Sequence, residues 1–228
     1  MPSSRALRRF CAPTVAAALL GVTAPASAAA PADEADAATD DSAEVEDVRP
    51  PRISGPYLGL TLFGGLGLAR INQFGTDAPF TGAGASLRFG QMVLPWLGVG
   101  LSGGGNGGSA SDDGARQSLG QGALLVDFTF VPAPKRIGGL SLRGSFGFGG
   151  GAVNEEGVDG RGGYGGAVFG AGGRYEFFPG AKRYRPTKGG GFAVGPEVGW
   201  LGFTPAAAGR PMSNTFFVGL STAFYFGD

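Results

Sequence analysis

The last stretch of the chain, Asn214–Asp228, reads NTFFVGLSTAFYFGD and decides the fold. Every second residue from Phe216 to Phe226 is bulky and apolar except Thr222, whereas most residues between them are small or weakly polar. This period-two pattern predicts a β-strand with one apolar face. Its length of about a dozen residues exceeds the roughly 9–11 that a tilted strand needs to cross a bilayer. A half-buried strand of a soluble sandwich is the alternative.

Seven earlier segments repeat the pattern. In the first of them Leu58, Leu60 and Leu62 alternate with other residues, whereas a helix would space them three or four apart. Consecutive strands with short connections pair antiparallel. We therefore predict an all-β, eight-stranded antiparallel up-and-down barrel whose last strand pairs with the first. The predicted strands are Tyr57–Ala69, Thr81–Leu94, Leu97–Ser102, Leu119–Val131, Gly139–Val153, Tyr164–Phe178, Gly191–Phe203 and Phe216–Phe226.

An even number of strands places both chain ends at the same end of a barrel. We call this the turn end, and expect turns there at Leu94–Trp96, Pro132–Gly138 and Pro179–Gly190. The opposite end is the loop end. Its expected connections are Ile71–Phe80, Gly103–Gln117, Asn154–Gly162 and Thr204–Ser213.

Composition favours a barrel over a sandwich. Glycine supplies 46 of 228 residues, far above the usual share of about 7%, and glycine disfavours helices. The second face of most segments is Gly, Ala or Ser, with few of the Lys, Glu, Thr and Asn residues that a wet sandwich face would carry. The interior of an eight-stranded barrel is only wide enough for side chains to fill, which suits small residues.

The chain lacks residues for most enzyme chemistry. It has no histidine, so a Ser–His–Asp triad is impossible. Its single cysteine, Cys11, lies in a segment that we expect to be removed. Glu155, Glu156 and Asp159 are interpreted as solvated loop residues. We therefore predict no enzymatic activity, no cofactor, no metal site and no nucleic-acid partner.

The N-terminal region divides into two predicted segments before the barrel at residues 54–228. Residues 1–28 are typical of a signal peptide, with Arg5, Arg8 and Arg9 before a short apolar run and an Ala-Ser-Ala cleavage site at 26–28. Residues 29–53 are predicted to be a disordered acidic linker, because residues 29–48 hold eight acids and no base. Export follows from the signal peptide.

The eight segments, the signal peptide and the aromatic last strand together resemble the small eight-stranded outer-membrane β-barrels, the OmpA/OmpX-like class. The resemblance covers Tyr57–Phe226 and implies an outer-membrane location with both termini in the periplasm. It implies the lipid bilayer and the barrel-assembly machinery as partners. It also implies that Phe224 and Phe226 form the C-terminal assembly signal, although Gly227 and Asp228 follow them here and depart from the family pattern.

Six charged residues fall on predicted interior faces, all in the turn-end half of the barrel. Buried charges must be paired and hydrogen-bonded, so we predict a salt-bridged plug with a structural or interaction role for the protein. The outer half, lined by residues such as Gly67, Gly84, Gly149 and Gly166, is expected to form a shallow open cup. A narrow pore or a transport barrel for small or apolar solutes is the alternative function. The six residues are Arg88, Asp127, Arg143, Arg174, Glu176 and Glu197.

Two predicted turns are rich in basic residues. We interpret them as ordinary interfacial charge, with anionic lipid headgroups or the acidic linker as alternative contacts. The basic residues are Lys135, Arg136, Lys182, Arg183, Arg185 and Lys188.

Overall fold

The computed structural model of the chain describes residues 51–71, 74–75, 78–112, 115–134, 138–157, 161–185, 188–204 and 212–227. The predicted signal peptide and nearly all of the acidic linker lie outside these ranges and stay predictions. In chain order the elements are β1 (Pro56–Leu68), β2 (Arg70–Ile71), β3 (Phe74–Gly75), β4 (Phe80–Leu94), β5 (Leu97–Asp112), β6 (Ala115–Phe130), β7 (Leu140–Glu155), β8 (Arg161–Tyr175), α1 (Ala181–Tyr184), β9 (Gly191–Phe203) and β10 (Ser213–Tyr225).

Eight of these strands form a closed barrel in the order β1-β10-β9-β8-β7-β6-β5-β4, with every neighbouring pair antiparallel. The predicted fold class is confirmed. β10 is the stretch that decided the prediction, and it pairs with β1 from Tyr57 opposite Tyr225 to Leu68 opposite Asn214. β2 and β3 form a separate two-stranded hairpin between β1 and β4.

The two faces of the barrel wall follow the predicted alternation. On β1 and β10 the bulky apolar residues point outward, so that Leu62 is 57% exposed and Phe216 53% exposed. Their neighbours Thr61 and Phe217 point inward and are buried. Such a large continuous apolar surface suits lipid and not water.

Exposed aromatic rings collect at the turn end of the barrel. They lie at the ends of β6, β8 and β10, at the start of β9 and in the turn between β4 and β5. Three neighbouring pairs of these rings meet edge-on, with centroids 5.0–6.0 Å apart. We call this set the turn-end girdle: Trp96, Phe130, Tyr175, Phe177, Phe192, Phe224 and Phe226.

The predicted loop at Gly103–Gln117 is wrong. β5 continues through the glycine-rich tract to Asp112, and β6 begins at Ala115. Gly108 lies opposite Gly82 on β4 and opposite Leu119 on β6, so the tract is paired on both sides. Because glycine occupies both its inward and outward positions, no alternation was visible in the sequence. The backbone of this tract is held extended by hydrogen-bonded pairing with the two neighbouring strands.

The turn-end connection between β8 and β9 contains α1, a single helical turn. It starts after Gly180, whose φ of 75° is in the left-handed region that favours glycine. Ala181 faces the barrel and is buried, whereas Tyr184 is 76% exposed. Within the described ranges, no helix has the length and hydropathy needed to cross a membrane.

The two ends of the described chain interlock at the turn end. Ile53, which the sequence boundary placed in the linker, is 1% exposed and packs against Tyr57 and Tyr225 in an apolar cluster. The N–H of Gly227 donates to the carbonyl of Ser54 at 3.2 Å. Gly227 has φ of 73°, and a Cβ there would collide with the carbonyl of Gly189. The Gly227 tail that departs from the family pattern therefore has a packing role.

Two arginines complete this junction, which we call the end clasp (Arg52, Ser54, Arg185 and Gly227). Arg185 donates from Nη1 to the carbonyl of Tyr225 at 3.1 Å and from Nη2 to that of Phe226 at 2.8 Å. Arg52 donates from Nη1 to the carbonyls of Arg185 and Lys188 at 2.9 and 3.1 Å. The clasp thus supplies hydrogen bonds to backbone carbonyls at the end of β10, where the ladder of strand pairing stops.

Candidate functional site: the lumen

The structure brings the six predicted interior charges together in one connected network inside the barrel. Ion pairs link five strands and the residue that follows β8, so the charges come from widely separated parts of the sequence. Three arginines face three carboxylates, which leaves the set formally neutral. We call it the charged layer: Arg88, Asp127, Arg143, Arg174, Glu176 and Glu197.

Arg88 on β4 lies at the centre of the charged layer. Its Nη2 is 3.0 Å from Oε1 of Glu176 and donates to Oγ of Ser221 at 2.7 Å. Its Nη1 is 3.9 Å from Oε2 of Glu197. The residue is 1% exposed. A Cβ on the neighbouring residue Gly59 of β1 would collide with Nε of Arg88, so glycine on β1 makes room for the guanidinium.

Arg143 on β7 holds the second part of the layer. Its Nη1 is 3.3 Å from Oε1 of Glu197, and its Nε is 3.7 Å from Oδ1 of Asp127. The hydroxyl of Thr61 donates to Oε2 of Glu197 at 2.9 Å. Glu197 therefore accepts contacts from three strands, because Arg88 reaches it as well.

Tyr225 joins the charged layer to the apolar cluster beneath it. Its hydroxyl donates to Oε2 of Glu176 at 2.7 Å and accepts from Nη2 of Arg174 at 3.4 Å. Nε of Arg174 is 3.4 Å from Oε1 of Glu176. The ring of Tyr225 packs against that of Tyr57, with centroids 5.5 Å apart. The sequence showed Tyr225 as an inward residue of the last strand but gave no sign of its part in the charged layer.

A layer of apolar side chains, the middle layer, lies above the charged layer toward the loop end. The rings of Phe63 and Phe217 face each other across the β1–β10 seam with centroids 4.8 Å apart. Leu125, Val168 and Phe203 form a buried cluster in the same part of the barrel. A cavity of about 30 Å³ remains between these groups and Arg143. Its volume matches about one or two water molecules.

The expectation of an open cup in the outer half is wrong for the described residues. Five apolar side chains form a buried cluster there, which we call the loop-end cluster. Gly67 lies directly beneath it, with Leu119 Cδ2 and Phe80 Cβ in contact range of the position that a Cβ would take. Glycine on one strand thus makes room for a large residue on another. The members are Ala69, Phe80, Ala110, Leu119 and Val153.

A chain of polar side chains crosses the lumen between the middle layer and the loop-end cluster. The amide of Gln121 donates to Oδ1 of Asn106 at 3.0 Å and to the hydroxyl of Thr215. The hydroxyl of Tyr164 donates to Oε1 of Gln121, and Oγ of Ser213 donates to Tyr164 at 3.3 Å. No motif in the sequence predicts this bridge. The inward parity of Gln121 and Thr215 on their strands was the available signal.

Phe224 and Phe226, the residues implied as an assembly signal, lie on the outer face of the turn-end girdle. Their rings meet edge-on with centroids 5.1 Å apart. Phe226 follows β10, and its N–H still donates to the carbonyl of Pro56 at 2.8 Å. Both rings are exposed, so they are available to a partner or to lipid.

Comparison with known proteins gives structural matches only. No protein-family model matches the chain, and no curated protein sequence matches it. Ail, the attachment invasion locus protein of Yersinia pestis, matches with a TM-score of 0.50, 13% identity and coverage of 75% of this chain and 99% of Ail. The chain has the fold of the small outer-membrane β-barrels.

Two further solved structures of this fold match less closely. Neisserial surface protein A is 10% identical, with a TM-score of 0.48 over 76% of this chain and 98% of that protein. OprG of Pseudomonas aeruginosa is 11% identical, with a TM-score of 0.40 over 78% of this chain and 99% of that protein.

Proposed function

We propose that the protein is a non-enzymatic outer-membrane barrel with a structural or interaction role, a closed lumen and both termini on the periplasmic side. The packing of side chains inside the described barrel wall is the observation that supports the proposal. Four successive layers fill it, from the apolar cluster around Tyr225 through the charged layer and the middle layer to the loop-end cluster. Such a filled barrel leaves its outer surface and its ends for function.

The outer surface supports insertion into a membrane. Large apolar residues cover the barrel wall, and the turn-end girdle resembles the aromatic belts that mark bilayer interfaces. Outer-membrane barrels have their termini and short turns on the periplasmic side. The two ends of the described residues, which meet where Gly227 bonds to Ser54, lie at the turn end together with the tight turn at Pro95–Trp96.

The charged layer favours a closed barrel and not a pore. Arg88, Arg174, Glu176 and Glu197 are nearly inaccessible to solvent and form ion pairs with one another or with their neighbours in the layer. Opening a path for ions would separate these partners and leave buried charges unpaired, which is costly. The lack of histidine throughout the sequence supports the absence of Ser–His–Asp hydrolysis.

Refolding and conductance together test the proposal. The detergent-refolded mature chain should show heat-modifiable gel mobility, because a closed barrel resists unfolding in detergent until it is heated. After insertion into planar bilayers it should show no stable nanosiemens conductance. The variant Arg88→Ser/Glu197→Ser, which removes two large side chains and keeps the layer neutral, should also stay closed, because three other layers still fill the lumen. Stable conductance of the unmodified chain would support the pore alternative instead.

The assembly signal has its own test. The barrel-assembly machinery recognises the C-terminal strand in the class that this chain resembles, and Phe224 and Phe226 are the residues we propose for that recognition. Phe226→Ala should lower the amount of folded barrel in outer membranes of cells. Phe192→Ala, which removes another ring of the girdle, is the control. Equal membrane yields for the two variants would show that the signal lies elsewhere.

A further inference from the structure

The β8–β9 connection carries a group of exposed cations beside the turn-end girdle. Arg183 and Lys188 are exposed, and four of the seven residues from 182 to 188 are basic with no acid among them. Tyr184, the most exposed ring at this end, lies beneath the guanidinium of Arg183, with Cζ 5.6 Å from the ring centroid. A cation held on an aromatic ring keeps its charge accessible while the ring restricts its position.

No exposed carboxylate neutralises these cations among the described residues. Glu176 and Glu197, the acids nearest in sequence, are buried and already paired inside the barrel. The exposed acid Glu156 and its half-buried neighbour Glu155 lie at the opposite, loop end. Among the described residues, Arg183 and Lys188 therefore carry positive charge that no exposed carboxylate balances.

The girdle fixes the depth of these cations in a bilayer. Aromatic belts lie at the level of lipid headgroups. Arg185 links the cations to the girdle directly, because its Cζ lies 6.0 Å from the ring centroid of Phe224 while its nitrogens hold the end of β10. α1 follows Gly180 and turns the chain along this rim. Arg183 and Lys188 are exposed and lie two and three residues from Arg185 in the chain, so we place them near the level of the lipid phosphates.

We propose that Arg183, Tyr184 and Lys188 form a binding surface for the headgroup of an anionic phospholipid at the turn-end face of the membrane. The proposal rests on the proposed membrane location. The two cations supply charge for the phosphodiester, and the tyrosine ring lies against the glycerol and upper acyl region. Arg185 acts as a positioning residue, since both of its terminal nitrogens bind backbone carbonyls of the last strand.

Lipid selectivity tests the surface. The mature chain is inserted into phosphatidylcholine bilayers with trace spin-labelled phosphatidylglycerol or spin-labelled phosphatidylcholine, and the motionally restricted fraction of each lipid is measured. We expect the chain to bind phosphatidylglycerol in preference to phosphatidylcholine. The removal of each cation should weaken phosphatidylglycerol binding at this site about fivefold, which is the usual contribution of a basic residue near an anionic surface. Arg183→Gln/Lys188→Gln should abolish the preference, and 1 M salt should reduce it because screening is then strong.

Matched variants separate a lipid site from general charge. Arg116→Gln removes an exposed cation of β6 at the loop end and should leave the preference unchanged. Arg183→Lys/Lys188→Arg keeps both charges and should retain most of it. An unchanged preference in Arg183→Gln/Lys188→Gln, or an equal loss in Arg116→Gln, would overturn the proposal. Heat-modifiable mobility of the same samples reports folding of the barrel independently. A barrel that inserts but shows no lipid preference would therefore contradict the proposed headgroup surface and leave the proposed membrane location intact.

Discussion

The charged layer and the loop-end cluster fill the same barrel, yet they depend on different properties of their side chains. In the charged layer each residue is held by specific partners, such as Glu176, which binds Arg88, Arg174 and Tyr225. In the loop-end cluster Leu119 and Val153 only need to occupy volume. The charged layer is thus specified by pairing and the loop-end cluster by packing.

The largest effect is expected at the centre of the charged layer. Arg88→Leu leaves Glu176 and Glu197 without their shared partner, and removal of one member of a buried ion pair costs about 3–5 kcal/mol. Urea unfolding of the barrel in lipid vesicles should show a loss of this size. Arg88→Lys should recover only part of it, because lysine cannot reproduce the fork of a guanidinium. A loss below about 1 kcal/mol would mean that pairing does not specify this layer.

Leu119→Ala should have the next largest effect. It removes a buried side chain from the loop-end cluster and leaves a cavity, which costs about 2–5 kcal/mol. Leu119→Met keeps the volume and should cost less than about 1.5 kcal/mol. The same unfolding measurement applies. Similar losses for the two substitutions would contradict packing by volume.

A double-mutant cycle at Asp127 and Arg143 measures how strongly two members of the charged layer depend on each other. Asp127→Leu alone leaves Arg143 with one carboxylate partner, whereas Asp127→Leu/Arg143→Met removes both charges and keeps the layer neutral. The double variant should be less destabilised than the sum of the single variants, with a coupling energy of about 0.5–3 kcal/mol. Additive losses would show that the two residues act independently.

The end clasp should give the smallest of these effects. Arg185→Gln removes two charge-assisted hydrogen bonds to the end of β10 at a partly exposed site, so we expect a loss of about 1–2 kcal/mol. Arg183→Gln changes an exposed cation two residues away, which makes no such bond to the described end of β10, and should cost less than about 0.5 kcal/mol. Equal losses would assign the effect to general charge and not to the clasp.

The contrast between the two regions also shows how far sequence reasoning reached. Charged residues at inward positions were conspicuous, so all six members of the charged layer could be named from parity alone. Their pairing could not, because Arg88 and Glu176 are 88 residues apart and meet only when the wall closes. The loop-end cluster was overlooked because its glycines suggested empty space, whereas Gly67 accommodates Leu119 from a distant strand.

The sequence by itself determined the strand number, the antiparallel order, the outward faces and the inward position of the charges, because side-chain alternation is a local property with a period of two. Only the tertiary structure decided which inward residues touch, how far β5 and β6 extend, and what fills the outer half. Those features depend on register and closure of the barrel, which bring together residues from strands distant in sequence. Asn214–Asp228 shows both levels: its pattern identified the last strand, and closure against β1 placed Tyr225 in the charged layer and Gly227 in the end clasp.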